Sequence, residues 1–281
     1  MLDKAPRATI TGGGSGLGRA LALRLADRAA RLLILDVNLE RAEETASLAR
    51  KRGARAEAMF CDVARLEDVE AAARKMDELY GGIDLLVNNA GVAVAGAVGD
   101  LPIEDWEWIV RINLWGPIHG CHVFVPRMKA QKSGYILNVS SSAGIASPPE
   151  MGPYNVTKAG VISLSETLDA ELAPHGVKVS ALCPTFFKTN LLETLRATND
   201  DLRNVAQTMF DRSTMTADQV AAAALRGLER GDLIIIPQLD GSVVWRAKRL
   251  WPELYRKVLR SRSIIELLSK MPGAKPKPST A

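Results

Sequence analysis

Tyr154 and Lys158 stand four residues apart in the stretch YNVTK. On a helix, that spacing puts both side chains on one face, one turn apart. A phenol loses its proton near pH ~10, and a neighbouring ammonium favours the phenolate. The pair could thus supply a proton acceptor that works nearer neutral pH. Taken alone, the same spacing also suits an ordinary surface pair.

A second candidate is TGGGSGLG, residues 11–18. Gly12, Gly16 and Gly18, with Ser15 and Leu17 between them, would let the backbone turn tightly into a helix whose N–H groups attract a pyrophosphate. The spacing is not G-x-G-x-x-G, and a glycine-rich turn can be no more than a turn. Asp36 follows eighteen residues after Gly18, closing the apolar run LLILD. A carboxylate there can accept hydrogen bonds from an adenosine ribose and repels a 2′-phosphate; the bland alternative is a helix cap. With Ser15 where a basic residue would serve a phosphate, Asp36 favours NAD(H) over NADP(H).

The elements that must position these residues alternate in type. RATITGG leads into GRALALRLADR, RLLILD into RAEETASLARK, and AEAMFCDV into VEAAARKMDELY. IDLLVNNAG precedes a long helical segment, Glu104 to Lys129, and YILNVSSS precedes a helix carrying Tyr154. VKVSALCP and DLIIIP bracket a last helix near Ala217–Arg230. Apolar runs alternating with helices predict an α/β fold with a doubly wound, mostly parallel sheet of about seven strands. Residues 1–241 read as one domain, 242–271 as a basic amphipathic helical extension, and 272–281 as a disordered end.

TGGGSGLG, NNAG at 88–91, NVSSSAG at 138–144 and YNVTK at 154–158 together resemble the short-chain dehydrogenase/reductase family, in its short, single-domain branch. The resemblance spans roughly residues 5 to 237. It implies a Rossmann fold, a nicotinamide cofactor and the interconversion of an alcohol and its carbonyl. Tyr154 would be the acid/base, with Lys158 lowering its pKa and holding the nicotinamide ribose. Ser141, thirteen residues before Tyr154, would hold the substrate oxygen. Asn113 would support a water relay, or would merely bond its own backbone. Asp62 and Val63 would border the adenine; Asn89, Ala90 and Gly91 the adenosine ribose; Pro184 and Thr189 the carboxamide or pyrophosphate. Thr185 departs from the family's usual glycine.

Other readings fare worse. An epimerase using the same Tyr/Lys pair would show T-G-x-x-G-x-x-G and a larger C-terminal domain. A non-catalytic dinucleotide sensor or interaction protein would be expected to have lost Ser141, Tyr154 or Lys158. His119 and His122 lie one turn apart without a third ligand, so no metal site is expected. Three scattered cysteines read as reduced thiols, and the first strand begins too early for a leader, so a cytoplasmic protein is expected.

The net charge of +4 is uneven: from Ser242 onward ten Lys or Arg face Glu253 and Glu266, giving +8, which leaves −4 for the first 241 residues. The body has no basic stripe of the kind that follows nucleic acid. The stretch 185–215 reads as a substrate loop. Its Phe186, Phe187, Leu191, Leu192, Leu195, Val205, Met209 and Phe210 would suit a bulky apolar secondary alcohol or ketone, or would merely pack two helices. In the extension, Val244, Ala247, Trp251, Leu254 and Val258 form a stripe among arginines and lysines, with Pro252 opening a second helix. The stripe would pack on the body or lie on a membrane surface. By the family's habit the protein would be a homodimer or homotetramer, paired through helices starting near Asp105 and Tyr154.

Overall fold

The computed structural model describes residues 5–261. Seven parallel strands form one sheet: β1 (Arg7–Thr11), β2 (Arg31–Asp36), β3 (Arg55–Phe60), β4 (Leu85–Asn88), β6 (Gly134–Val139), β7 (Val177–Leu182) and β9 (Ile234–Ile235). Their order is β3-β2-β1-β4-β6-β7-β9. Two short strands, β5 (Val94–Ala95) and β8 (Arg196–Ala197), pair in parallel apart from it. The helices are α1 (Gly16–Ala26), α2 (Leu39–Lys51), α3 (Leu66–Tyr80), α4 (Ile103–Val110), α5 (Gly116–Gln131) and α6 (Ser142–Ala146), then α7 (Gly152–Leu172), α8 (Asp200–Arg212), α9 (Ala217–Arg230), α10 (Leu239–Leu250) and α11 (Pro252–Ser261).

The apolar strands are buried on both faces, as a parallel sheet between helices must be. On one face Leu32, Ile34 and Val87 meet Leu21, Leu25 and Leu225 of α1 and α9. On the other, Leu33, Leu86 and Ile136 meet Met76, Phe124 and Leu172 of α3, α5 and α7. The chain works outward from β1 in one direction and from β4 in the other. A crevice therefore opens between their carboxyl ends, where open α/β sheets take ligands.

One departure from the expected layout matters. The segment 104–129 is not one regular helix: Arg111–Trp115 forms a π turn between α4 and α5, with Asn113 inside it. α10 runs from Leu239 to Leu250, across the expected boundary at 241/242. The bend falls at Trp251, and Pro252 opens α11 as expected. The expected disordered end, 272–281, and the extension beyond Ser261 lie outside the described residues.

Candidate active site

The carboxyl edge of the sheet gathers the candidate residues. Thr11 ends β1, and its hydroxyl accepts from the Asn89 and Ala90 N–H groups at 2.9 and 3.0 Å. Asn89 Nδ2 donates to the carbonyls of Thr11 and Gly12 at 2.9 and 3.0 Å. NNAG thus ties β4 to the glycine-rich turn. A Cβ on Gly18 would run into the Gly12 carbonyl, so only glycine lets the helix start this close to the strand. Ser15 is the N-cap of α1, yet its side chain makes no capping hydrogen bond, and the first turn carries no acidic residue. That helix terminus offers its N–H groups to an anion.

Asp36 ends β2, and its two carboxylate oxygens accept from Gly14 N and Asn38 N, both at 2.9 Å. Asp62 and Val63 follow β3 beside it, since Cys61 N donates to the Asp36 carbonyl at 3.1 Å. Asp62 Oδ1 accepts from Ala64 N at 2.9 Å, and the Val63 carbonyl lies 2.9 Å from His119 Nδ1. His119 also faces the Trp115 ring, 5.6 Å between centroids.

Tyr154 and Lys158 do share a face of α7. Both are buried, and the ammonium lies 5.7 Å from the phenol ring's centroid. Ser141 follows β6 as the N-cap of α6; its hydroxyl accepts from Ala143 N at 3.1 Å and lies close enough to the Tyr154 phenol to lower its pKa. The flanking serines turn elsewhere. Ser140 donates to the Lys158 carbonyl at 2.8 Å, and Ser142 N donates to the Pro184 carbonyl at 2.9 Å. Lys158 Nζ donates to the Val139 carbonyl at 2.9 Å.

The electrostatics differ from expectation. Burial pushes the Tyr154 phenol up to about 12, with the Ser141 hydrogen bond opposing. Burial pulls the Lys158 ammonium down to about 8, with Cys183 opposing. The lysine was expected to pull the tyrosine below its ordinary value. At this buried position desolvation sets the direction, because taking the phenolate's charge out of water is costly, and the only opposing influence comes from Ser141.

Asn113 lies buried inside the π turn. Its side chain accepts from Val92 N at 2.8 Å and donates to the Val92 carbonyl at 2.9 Å. The π turn aims it across to the segment after NNAG, so it bonds neither its own backbone nor Lys158. Its Oδ1 and Lys158 Nζ nonetheless flank the same gap: a Cβ on Gly91 would sit 3.3 and 3.5 Å from them.

Several residues escaped the sequence reading. Asn88 Nδ2 donates to Asn138 Oδ1 at 2.8 Å, and Asn138 donates on to Ser165 at 3.0 Å, a buried chain bracing β4, β6 and α7. Both asparagines stand inside the quoted motifs; a polar residue at a strand end was the available signal. Arg41, five residues past Asp36, pairs with Glu193 at 2.8 Å and so links α2 to the substrate loop. Nothing local marks either partner.

The loop itself splits. Phe187 joins the sheet core. Leu195 and Leu202 pack with Tyr154, and Leu191 and Leu192 lie against the same cluster. Phe186 is half-exposed and meets Phe210 edge-on, 5.4 Å between centroids. Thr189 Oγ1 reaches the turn at Gly16. Thr185 has a use here: its N–H donates to Gln238 at 3.1 Å and its hydroxyl to Asp240 at 3.2 Å, anchoring α10.

Residues 6–200 match the family of short chain dehydrogenases. The chain belongs to that family. Its members are oxidoreductases, and the seven-stranded Rossmann sheet is theirs. The Mycobacterium tuberculosis protein SadH is 31% identical over 256 residues, covering 90% of this chain and 93% of its own. A short chain dehydrogenase/reductase of Burkholderia phymatum, solved in complex with NAD, is 31% identical with a TM-score of 0.85, covering 90% of this chain and 96% of its own. A short-chain dehydrogenase of Sphingobium yanoikuyae, solved in complex with NADPH, is 28% identical with a TM-score of 0.74, covering 97% and 99%.

Proposed function

We propose that this short-chain dehydrogenase interconverts a bulky apolar secondary alcohol and its ketone, with NAD(H) preferred over NADP(H). The observation that carries the reading is the convergence of buried Tyr154 and Lys158 with the partly buried Ser141, Tyr154 packing in an apolar cluster with Leu195 and Leu202 against Trp106 and Trp108. The uncapped start of α1 suits a pyrophosphate, and Asp36 suits the adenosine ribose hydroxyls while repelling a 2′-phosphate. The nicotinamide, when bound, supplies or accepts the hydride.

The chain's own residues handle the oxygen and its proton. Ser141 holds the substrate oxygen, and Tyr154 gives a proton to it or takes one from it. A phenol at about 12 is protonated at neutral pH, the state that carbonyl reduction needs. Lys158 spends one N–H on Val139 and keeps the others for Tyr154 and the cofactor ribose. The Asn113 side chain is committed to Val92, so it supports a relay by holding Val92 and the π turn beside the gap at Gly91.

An absorbance screen at 340 nm over hydroxysteroids, retinoids, aliphatic secondary alcohols and their ketones tests this. The expected result is turnover of an apolar compound, an oxidation rate that climbs with pH, and at least ~10-fold preference for NAD(H), the worth of ~1.4 kcal/mol. Preference for NADP(H) would remove the role given to Asp36. Better turnover of sugars or hydroxy acids would remove the apolar substrate.

A further inference from the structure

The extension carries a surface that the oxidoreductase chemistry leaves unused. Its inner side is seated: Lys248 Nζ donates to the Ile145 carbonyl and Tyr255 OH to the Ala146 carbonyl, both at 2.6 Å. Its outer side is not. Leu250, Trp251 and Leu254 are 64%, 59% and 60% exposed. Single exposed apolar residues are ordinary, but Leu250 at the end of α10, Trp251 at the bend and Leu254 in the first turn of α11 cluster around one corner of the extension.

Basic residues border this corner. Arg256, Lys257 and Arg260 occupy the remaining arc of α11, and Arg249 lies 4.4 Å from the Trp245 ring centroid. Glu253 is the sole acidic residue of α11 and is paired with Arg256 at 2.5 Å. The charge selects the occupant. Two copies meeting through this face would bring their cationic arcs together, each within a segment of net charge +8, whereas an anionic surface gathers them. We propose that this face docks on the surface of an anionic lipid bilayer. α11 lies in the headgroup plane, Trp251 and Leu254 enter the acyl boundary, and the arginines and Lys257 meet lipid phosphates. Among the described residues no helix is long and apolar enough to cross a membrane, so the contact is peripheral.

The tethers give the docking a direction. Lys248 and Tyr255 hold the C-terminal end of α6, and Ser141 caps its other end, five residues or about 7 Å away. The bilayer surface and the substrate side of the site are thereby held together.

Sedimentation of the full chain with vesicles tests the proposal. Equimolar phosphatidylglycerol and phosphatidylcholine should carry the protein down at low salt and release it at ~0.5 M salt; phosphatidylcholine alone should not bind it. Arg256→Gln with Lys257→Gln should weaken partitioning by on the order of 25-fold, about fivefold per charge. Trp251→Gln with Leu254→Gln should weaken it by at least ~10-fold while circular dichroism and melting temperature stay unchanged. Wild type remaining in the supernatant with anionic vesicles at low salt would overturn the proposal. Binding that survives both double variants would do so too. Light scattering that shows a dimer in solution split by Trp251→Gln with Leu254→Gln would assign the corner to self-association instead.

Discussion

The strand-end half of the site and its C-terminal cover are built on different principles. At the strand ends, backbone and amide groups are paired inside the protein: Thr11 with Asn89 and Ala90, Asn88 with Asn138 and Ser165, Lys158 with Val139. Breaking such a pair strands a buried polar group, which costs ~1–3 kcal/mol. The cover rests on two-residue strands and exposed ion pairs. Arg41 and Glu193 are 46% and 47% exposed, and such pairs contribute only ~0–1 kcal/mol. Arg196, paired with Asp105 at 2.7 Å and stacked 3.8 Å from the Trp108 ring centroid, is the firmest of these ties. Reacting atoms need fixed geometry, whereas a substrate must enter and leave; the two sets of interactions divide accordingly.

The contrast breaks most visibly at Tyr154. Tyr154→Phe keeps the ring and loses the proton, so turnover should fall by at least ~100-fold with cofactor affinity and melting temperature unchanged. Steady-state rates and cofactor titration check it, and near-normal turnover would remove Tyr154 from the chemistry.

The next effect comes from Lys158, whose buried ammonium is pulled from 10.5 down to about 8. Between those values the unfolded chain binds a proton that the folded chain has released. Lys158 therefore adds stability as pH rises from ~8 to ~10.5 and loses it as pH falls back, a change on the order of 3 kcal/mol. Denaturant titrations of wild type and Lys158→Met across that range should converge as pH rises. A gap that is independent of pH would mean the ammonium is well solvated.

The smallest effect sits in the cover. Tyr255→Phe removes one hydrogen bond from the end of α6, worth ~1 kcal/mol. The expected result is a few-fold loss in kcat/KM with the melting temperature nearly unchanged. A loss rivalling that of Tyr154→Phe would put the extension on a par with the strand ends, and no loss at all would detach it from the site.

What was legible locally followed from period. The four-residue spacing of Tyr154 and Lys158, the glycines between a strand and a helix, and the carboxylate closing LLILD are all arranged by φ/ψ geometry a few residues long. The choice of Ser141 among three serines rested on the N-x-S-S pattern; in the fold Ser140 donates its hydroxyl to the Lys158 carbonyl, while Ser141 lies near the phenol. The stripe of the extension was visible, but not that it divides. Val244 and Ala247 are half-buried toward the body, while Trp251 and Leu254 face outward.

The sequence by itself determined the order of elements, the turn at Gly12–Gly18, and which side chains could carry a proton or a ribose, because each depends on neighbours within one or two turns. Only the tertiary structure decided the rest. The π turn that turns Asn113 toward Val92, the link from Arg41 to Glu193, and the anchoring of α10 by Thr185 join residues between 21 and 152 positions apart. The raised phenol and lowered ammonium belong to the same class. Desolvation is set by everything that surrounds a group in space, and no local pattern records how much water the folded chain excludes.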